Sequence, residues 1–134
     1  MEVTENTRDL TWLVLRVLAG FVFLWGGIAK LFMGAAPPIA KILPFIPANV
    51  SLFLLGLLEF IVGTLLILGL ITRISAGVAT ALYAIFIIAG LSLGLFSGAG
   101  LWKDLGLAGT TFALTIFGAH SYSLDVWLKK KKYS

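Results

Sequence analysis

Long apolar runs constrain this chain more than any other feature. The first, residues 10–32, is long enough to cross a bilayer as an α-helix, yet it carries two basic residues. At helical steps of four, three, four and three residues, one face contains Arg16, Gly20, Phe23, Gly27 and Lys30. Charges are costly against lipid, so we expect this face to turn toward other helices.

The composition is that of a membrane protein. Hydrophobic residues make up 60% of the 134 residues and charged residues 12%, and the mean hydropathy is +1.06; soluble domains carry roughly a quarter charged residues. The lack of Cys excludes disulfides and thiol chemistry in this chain. The net charge of +4 equals the charge of the run Lys129–Lys132. Beside a membrane segment, such a run is typical of an orientation signal or an anionic-lipid contact, rather than of nucleic-acid binding.

Three further spans are predicted, over residues 50–71, 74–96 and 104–124. All four prolines lie between the first two spans, in residues 33–49, which predicts an apolar but non-helical cap over that end. A cleaved signal peptide is the alternative for the first run, but Arg16 interrupts its apolar region.

Four spans with short connections predict one domain, residues 1–134: an all-α integral membrane protein built as an antiparallel four-helix bundle. Both termini then lie on one side of a multi-pass cell-membrane protein. The basic residues on the side of the termini are Arg8, Arg73 and the four tail lysines, whereas those on the other side are Lys30, Lys41 and Lys103. The positive-inside rule therefore predicts cytoplasmic termini.

Two groups of polar residues are candidate sites. We compare how far each residue lies from the end of its span, at about 1.5 Å per residue. The comparison predicts an ion pair between Arg16 and Glu59, with Lys30 and Asp104 meeting at the outer end of the bundle. An inner-end cluster is expected from Arg73, His120, Tyr122 and Asp125. The functional interpretation is a pocket for a polar head group such as a quinone ring. The alternative is that these charges only fix the register of the bundle.

Several cofactors are excluded by residue type. His120 is the only His, so one chain cannot supply bis-histidine haem ligation. The carboxylates Glu59, Asp104 and Asp125 fall at three depths, so no metal or haem is expected. With no self-sufficient redox centre, the chain would be at most a subunit of a quinone-linked oxidoreductase.

Several motifs, in this order, resemble the DoxX family of small membrane proteins, which is related to DoxD. They are LRVLAGFVFLWGGIAKL in the first span, LLEFIVGTLLILGLITRISA across the second and third, and KDLGLAGTTFAL followed by SYSLD in the fourth. The resemblance implies a four-helix membrane protein related to the membrane subunit of thiosulfate:quinone oxidoreductase, and some members are linked to oxidative stress or thiol homeostasis. The lack of Cys argues against direct sulfur-relay chemistry by this chain.

Our leading hypothesis is therefore a quinone-associated subunit with a redox or sulfur-metabolism protein as its partner, in contact with membrane lipid. The alternative is a non-catalytic membrane assembly or scaffold protein. Transport of a small solute is a third hypothesis; it is disfavoured because four spans leave little room for a path unless the chain forms a homo-oligomer. Nucleic acid is not expected as a partner.

Overall fold

The computed structural model describes residues 4–35, 45–94 and 99–133. It contains five helices: α1 Glu5–Phe32, α2 Ala48–Leu68, α3 Thr72–Ser92, α4 Ala99–Phe117 and α5 Leu124–Lys132. By length and composition, α1, α2 and α3 could each cross a membrane, with mean hydropathies of 1.9, 2.4 and 2.1. The remaining long helix, α4, packs on α3. The predicted all-α four-helix membrane bundle is confirmed, with α5 as an added short helix.

The bundle consists of two antiparallel helix pairs, α1 with α2 and α3 with α4. Its core is formed by nine residues: Ala19, Phe23, Val62, Leu66, Ala76, Ala79, Leu82, Tyr83 and Leu114. Large apolar side chains such as Leu18, Trp25, Ile74 and Phe112 are more than half exposed. Polar side chains such as Arg16, Glu59 and Thr111 are buried beside this core, and buried charges with exposed apolar side chains suit a lipid environment.

The α1–α2 interface is close because glycines face each other across it. A Cβ on Gly27 would lie 2.6 Å from the Phe60 nitrogen, and one on Gly63 would contact the Leu24 nitrogen. Only a residue without a Cβ allows this backbone approach. The predicted inward face of α1 is confirmed, since Arg16, Gly20, Phe23 and Gly27 are all buried.

Two glycines with positive φ set the ends of helices. Gly69 (φ 68°) ends α2, and α3 begins at Thr72, so the connection is very short. Gly118 (φ 74°) follows the end of α4 at Phe117. The fourth predicted span, residues 104–124, therefore starts and ends later than α4 does, because a left-handed residue cannot continue a right-handed helix.

The observed helices α1 and α4 begin before the predicted spans. The first span is predicted from residue 10, but α1 begins at Glu5, and the side chain of Thr4 accepts a hydrogen bond from the Thr7 nitrogen. Asp104, the first residue of the fourth predicted span, lies inside α4. The centre of the predicted proline-rich cap, residues 36–44, lies outside the described residues, as does Lys41.

Candidate functional site

The most deeply buried ion pair in the described residues joins α1 to α2. The Lys30 ammonium lies 2.6 Å from Glu59 Oε2, and the two side chains are only 13% and 4% exposed. Lys30 Nζ also donates to the carbonyl oxygen of Gly26, at 3.3 Å. Two hydrogen bonds thus hold the ammonium beside the carboxylate, in a region where a lone charge would be costly.

The predicted ion pair between Arg16 and Glu59 is wrong, and the helix register explains why. Gly27 faces Gly56 and Phe60, and a Cβ on Gly26 would lie 2.9 Å from Glu59 Oε2, so Glu59 is level with Gly26 rather than with Arg16. The ten residues between Arg16 and Gly26 span about 15 Å of helix. Lys30 is one turn beyond Gly26, and a helical side chain leans toward the N-terminus of its helix, which brings Lys30 to Glu59.

Further polar groups from α3 and α4 lie at the same end of the bundle. Lys103 and Asp104 are close enough to Glu59 to act on its charge, and Asp104 and Glu59 both act on Tyr83. Tyr83 packs edge-to-face on Phe23, with ring centroids 4.7 Å apart. The sequence predicted Lys30 and Asp104 at this end but placed Glu59 with Arg16, and it did not indicate Tyr83, which is hidden within an apolar span.

An apolar crevice lies at the same level of the α1–α2 pair as the Lys30–Glu59 ion pair. It has a volume of about 320 Å³ and is formed by five residues of α1 and α2: Leu31, Phe32, Phe53, Leu57 and Phe60. Leu31 follows Lys30 and Phe60 follows Glu59 in the chain, and successive residues of a helix point in different directions, so the crevice and the ion pair lie on neighbouring faces of the two helices. Phe32 and Phe53 are largely exposed on the outside of the bundle, so the crevice opens toward lipid.

Arg16 occupies a separate polar site at the end of the bundle where both termini lie. It is 3% exposed, and its Nη2 donates to the backbone carbonyl of Tyr122 at 2.6 Å. Asp125 is close enough to interact with its charge. Arg16 Nε has no hydrogen-bond partner in the described residues. Fourteen residues of helix, about 21 Å, separate Arg16 from Lys30.

Asp125 connects this end of the bundle to the start of α3. Its carboxylate accepts hydrogen bonds from the backbone nitrogens of Ile71 and Thr72, at 2.7 and 2.8 Å, and from the Thr72 hydroxyl at 2.9 Å. The residue before α3, Ile71, supplies no side-chain cap. Asp125 therefore caps α3 from a distant part of the chain and places a negative charge at the positive end of its dipole.

The remaining residues of the inner-end cluster contact α1 and the turn after α4. His120 Nδ1 lies 3.5 Å from Asp9 Oδ1, and the His120 ring stacks on Trp12 at 5.4 Å. The Tyr122 hydroxyl and Asn6 Oδ1 are hydrogen-bonded at 3.0 Å. Arg73 packs on the turn at residue 118, with its Nε 2.8 Å from the place a Cβ would occupy there. The structure thus brings all four predicted residues to one end.

Sequence reasoning missed Asp9 and Trp12, which belong to the same end. A signal was available, because Asp9, Trp12 and Arg16 follow at steps of three and four residues on one helical face. Asp9 directly precedes the apolar run at residues 10–32, so hydropathy alone places it outside the helix. Among the described residues, no group of three His, Asp or Glu side chains is arranged to hold a metal ion.

These features define a class of protein: a small multi-pass helical membrane protein with buried polar sites at both ends of its bundle and apolar side chains facing lipid. A model of the DoxX family matches residues 11–90, more than half of the chain. The chain belongs to the DoxX family. The matched part includes Arg16, Lys30 and Glu59 but ends before α4. No curated protein and no solved structure shows significant similarity to this chain.

Proposed function

We propose that this DoxX-family protein binds a quinone at the Lys30–Glu59 pair and is the quinone-side subunit of a membrane complex that oxidises reduced sulfur compounds. The observation that carries the proposal is a buried ion pair at the same level of the α1–α2 pair as an apolar crevice that opens toward lipid. A polar head group and an isoprenoid tail need these two environments side by side.

The Lys30 ammonium suits the carbonyl oxygen of a quinone ring. An ammonium has three hydrogens to donate. Within the described residues, two are used, toward Glu59 Oε2 and the carbonyl oxygen of Gly26. The third can donate to a ring carbonyl without breaking the ion pair. A charge-assisted hydrogen bond of this kind is stronger than one between neutral groups.

Glu59 can hold and release a proton beside the ring. A bound quinone would supply two-electron chemistry that also consumes two protons when it is reduced. Glu59 lies among groups of both signs, with Lys30 in contact and Lys103 and Asp104 nearby. We assign the supply of electrons to a partner protein, since this chain has no Cys and a single His.

In this proposal both termini lie in the cytoplasm, which places the Lys30–Glu59 pair toward the opposite leaflet. The support is the charge distribution: the basic tail and Arg73 lie on the side of the termini, whereas Lys30 and Lys103 lie on the other. Positive charge near the ends of spans favours the cytoplasmic side.

The test is quinone binding by purified protein, followed through quenching of tryptophan fluorescence by a short-chain quinone. Lys30→Met is expected to weaken binding about tenfold to hundredfold, the loss of one charge-assisted hydrogen bond. Glu59→Gln is expected to weaken binding because the Lys30 ammonium loses the carboxylate that positions it. Asp9→Asn is the matched control, because it also removes a poorly exposed carboxylate but at the other end of α1. Wild-type affinity in Lys30→Met and Glu59→Gln proteins of normal helical content would rule out this site.

The second candidate function is that of an assembly protein without chemistry of its own. It is favoured by Gly106 and Gly109 on α4, where a Cβ would meet nothing within 4 Å among the described residues. Small residues one turn apart are typical of helix–helix contacts in membranes. Crosslinking followed by copurification separates the two functions: one stoichiometric redox partner favours the subunit, whereas varied clients or a homo-oligomer favour the assembly role.

A further inference from the structure

The basic end of the chain is a helix in its own right rather than a frayed continuation of α4. The Ser123 hydroxyl caps α5 by accepting a hydrogen bond from the Val126 nitrogen at 3.3 Å. The last turn of α5 contains the run Lys129–Lys132, which suits the negative end of the helix dipole. All four lysines are exposed.

The start of α5 is attached firmly to the bundle. The Asp125 nitrogen donates to the Gly69 carbonyl at 2.9 Å, its carboxylate binds Ile71 and Thr72, and Arg16 holds the carbonyl of Tyr122. The contacts of Asp125 all go to the short turn between α2 and α3 and to the first residue of α3. Because that turn joins two apolar spans, it lies at the membrane surface, and α5 therefore begins at the level of the lipid head groups.

The side chains of α5 suit that position. Leu124, Trp127, Leu128 and Lys131 share one helical face. Trp127 is 56% and Leu128 47% exposed, and the Lys131 ammonium lies 5.4 Å from the centre of the Trp127 ring. Tryptophan with flanking lysine is typical of the membrane–water interface, where the ring lies among head groups and the ammonium reaches phosphates.

We propose that α5 is an interfacial helix whose lysines bind the head groups of anionic phospholipids in the adjacent leaflet. The only acid of α5, Asp125, is already bound to the α2–α3 turn, so it does not reduce the positive charge presented to lipid. An acidic protein surface would also attract lysines. Lipid is favoured because α5 begins at head-group level and also exposes an apolar face.

The experiment is native mass spectrometry of the full chain released from nanodiscs that contain equal amounts of phosphatidylglycerol and phosphatidylcholine. Wild-type protein is expected to retain more phosphatidylglycerol, and the preference should weaken in high salt. A variant with Lys129→Gln, Lys130→Gln, Lys131→Gln and Lys132→Gln combined should lower the ratio of the two lipids about fivefold for each lysine that contacts a head group.

The matched control replaces the same four lysines by arginine, which keeps the charge and should keep the lipid preference. Far-ultraviolet circular dichroism should show the same melting for all three proteins, because the lysines are exposed. Equal retention of both lipids by the wild type, or an unchanged ratio in the glutamine variant, would overturn the proposal. If an acidic protein instead copurifies through these lysines while the lipid ratio is even, the surface binds protein and the proposal is wrong.

Discussion

The Lys30→Met substitution measures what the buried ion pair contributes to stability. At 2.6 Å and an effective dielectric constant of about 20, two unit charges attract by about 6 kcal/mol. Most of this attraction is offset by the cost of removing both ions from water. In the variant the attraction is lost while the burial of Glu59 remains, and breaking such pairs typically costs about 3–5 kcal/mol. We expect Lys30→Met to lower the free energy of unfolding by about 3 kcal/mol, the lower end of this range, because Lys30 retains some exposure.

The double variant Lys30→Met with Glu59→Leu shows whether the loss of stability comes from breaking the ion pair or from the substitutions themselves. With both charges gone, nothing buried is left unpaired, and the free energy of unfolding should return to within about 1 kcal/mol of wild type. The assay is reversible unfolding in mixed micelles with increasing sodium dodecyl sulfate, followed by circular dichroism. If the losses in the two single variants simply add in the double variant, the charges are not coupled and the reasoning is refuted.

Two further predictions use the same unfolding assay. Gly63→Ala should lower the free energy of unfolding by about 1–3 kcal/mol, because its new Cβ would meet the backbone of Leu24. The control is Gly106→Ala, where a Cβ would have open space around it; it should leave the free energy of unfolding unchanged or raise it by up to about 1 kcal/mol. Equal effects of the two would contradict the close helix approach. Asp125→Ala should lower the free energy of unfolding by about 1–2 kcal/mol, because α3 loses its cap at Thr72. An unchanged midpoint of the unfolding transition would show that this cap does not stabilise the bundle.

The inward face of α1 was predictable from the sequence because helical periodicity alone determines it. Arg16, Gly20 and Gly27 recur at helical steps within an apolar run, and all three are buried. Glu59 with its flanking glycines on α2 follows the same pattern and is also buried. The roles of these residues in binding a quinone stay predictions, since periodicity shows that a side chain faces protein but not what it does there.

The partner of each charge was not predictable from the sequence. Counting residues from the ends of the apolar runs put Arg16 and Glu59 at nearby depths, and that estimate failed by several residues. The actual register follows from which glycine of α1 meets which backbone atom of α2. The end of α2 at Gly69 lies against Arg16 rather than against the start of the first apolar run. Because the ends of the two runs are not level, counting residues from them could not find the Lys30–Glu59 pair.

The sequence by itself thus determined an all-α membrane protein built on four long helices, the helix faces that avoid lipid, and a chain without cysteine chemistry. These properties follow from composition and from the 3.6-residue period of the helix, which are local. Only the tertiary structure decided that Lys30 rather than Arg16 meets Glu59, and that Asp125 caps α3 and attaches the start of α5 to the α2–α3 turn. These contacts join residues far apart in the chain, and they depend on how closely the backbones can approach.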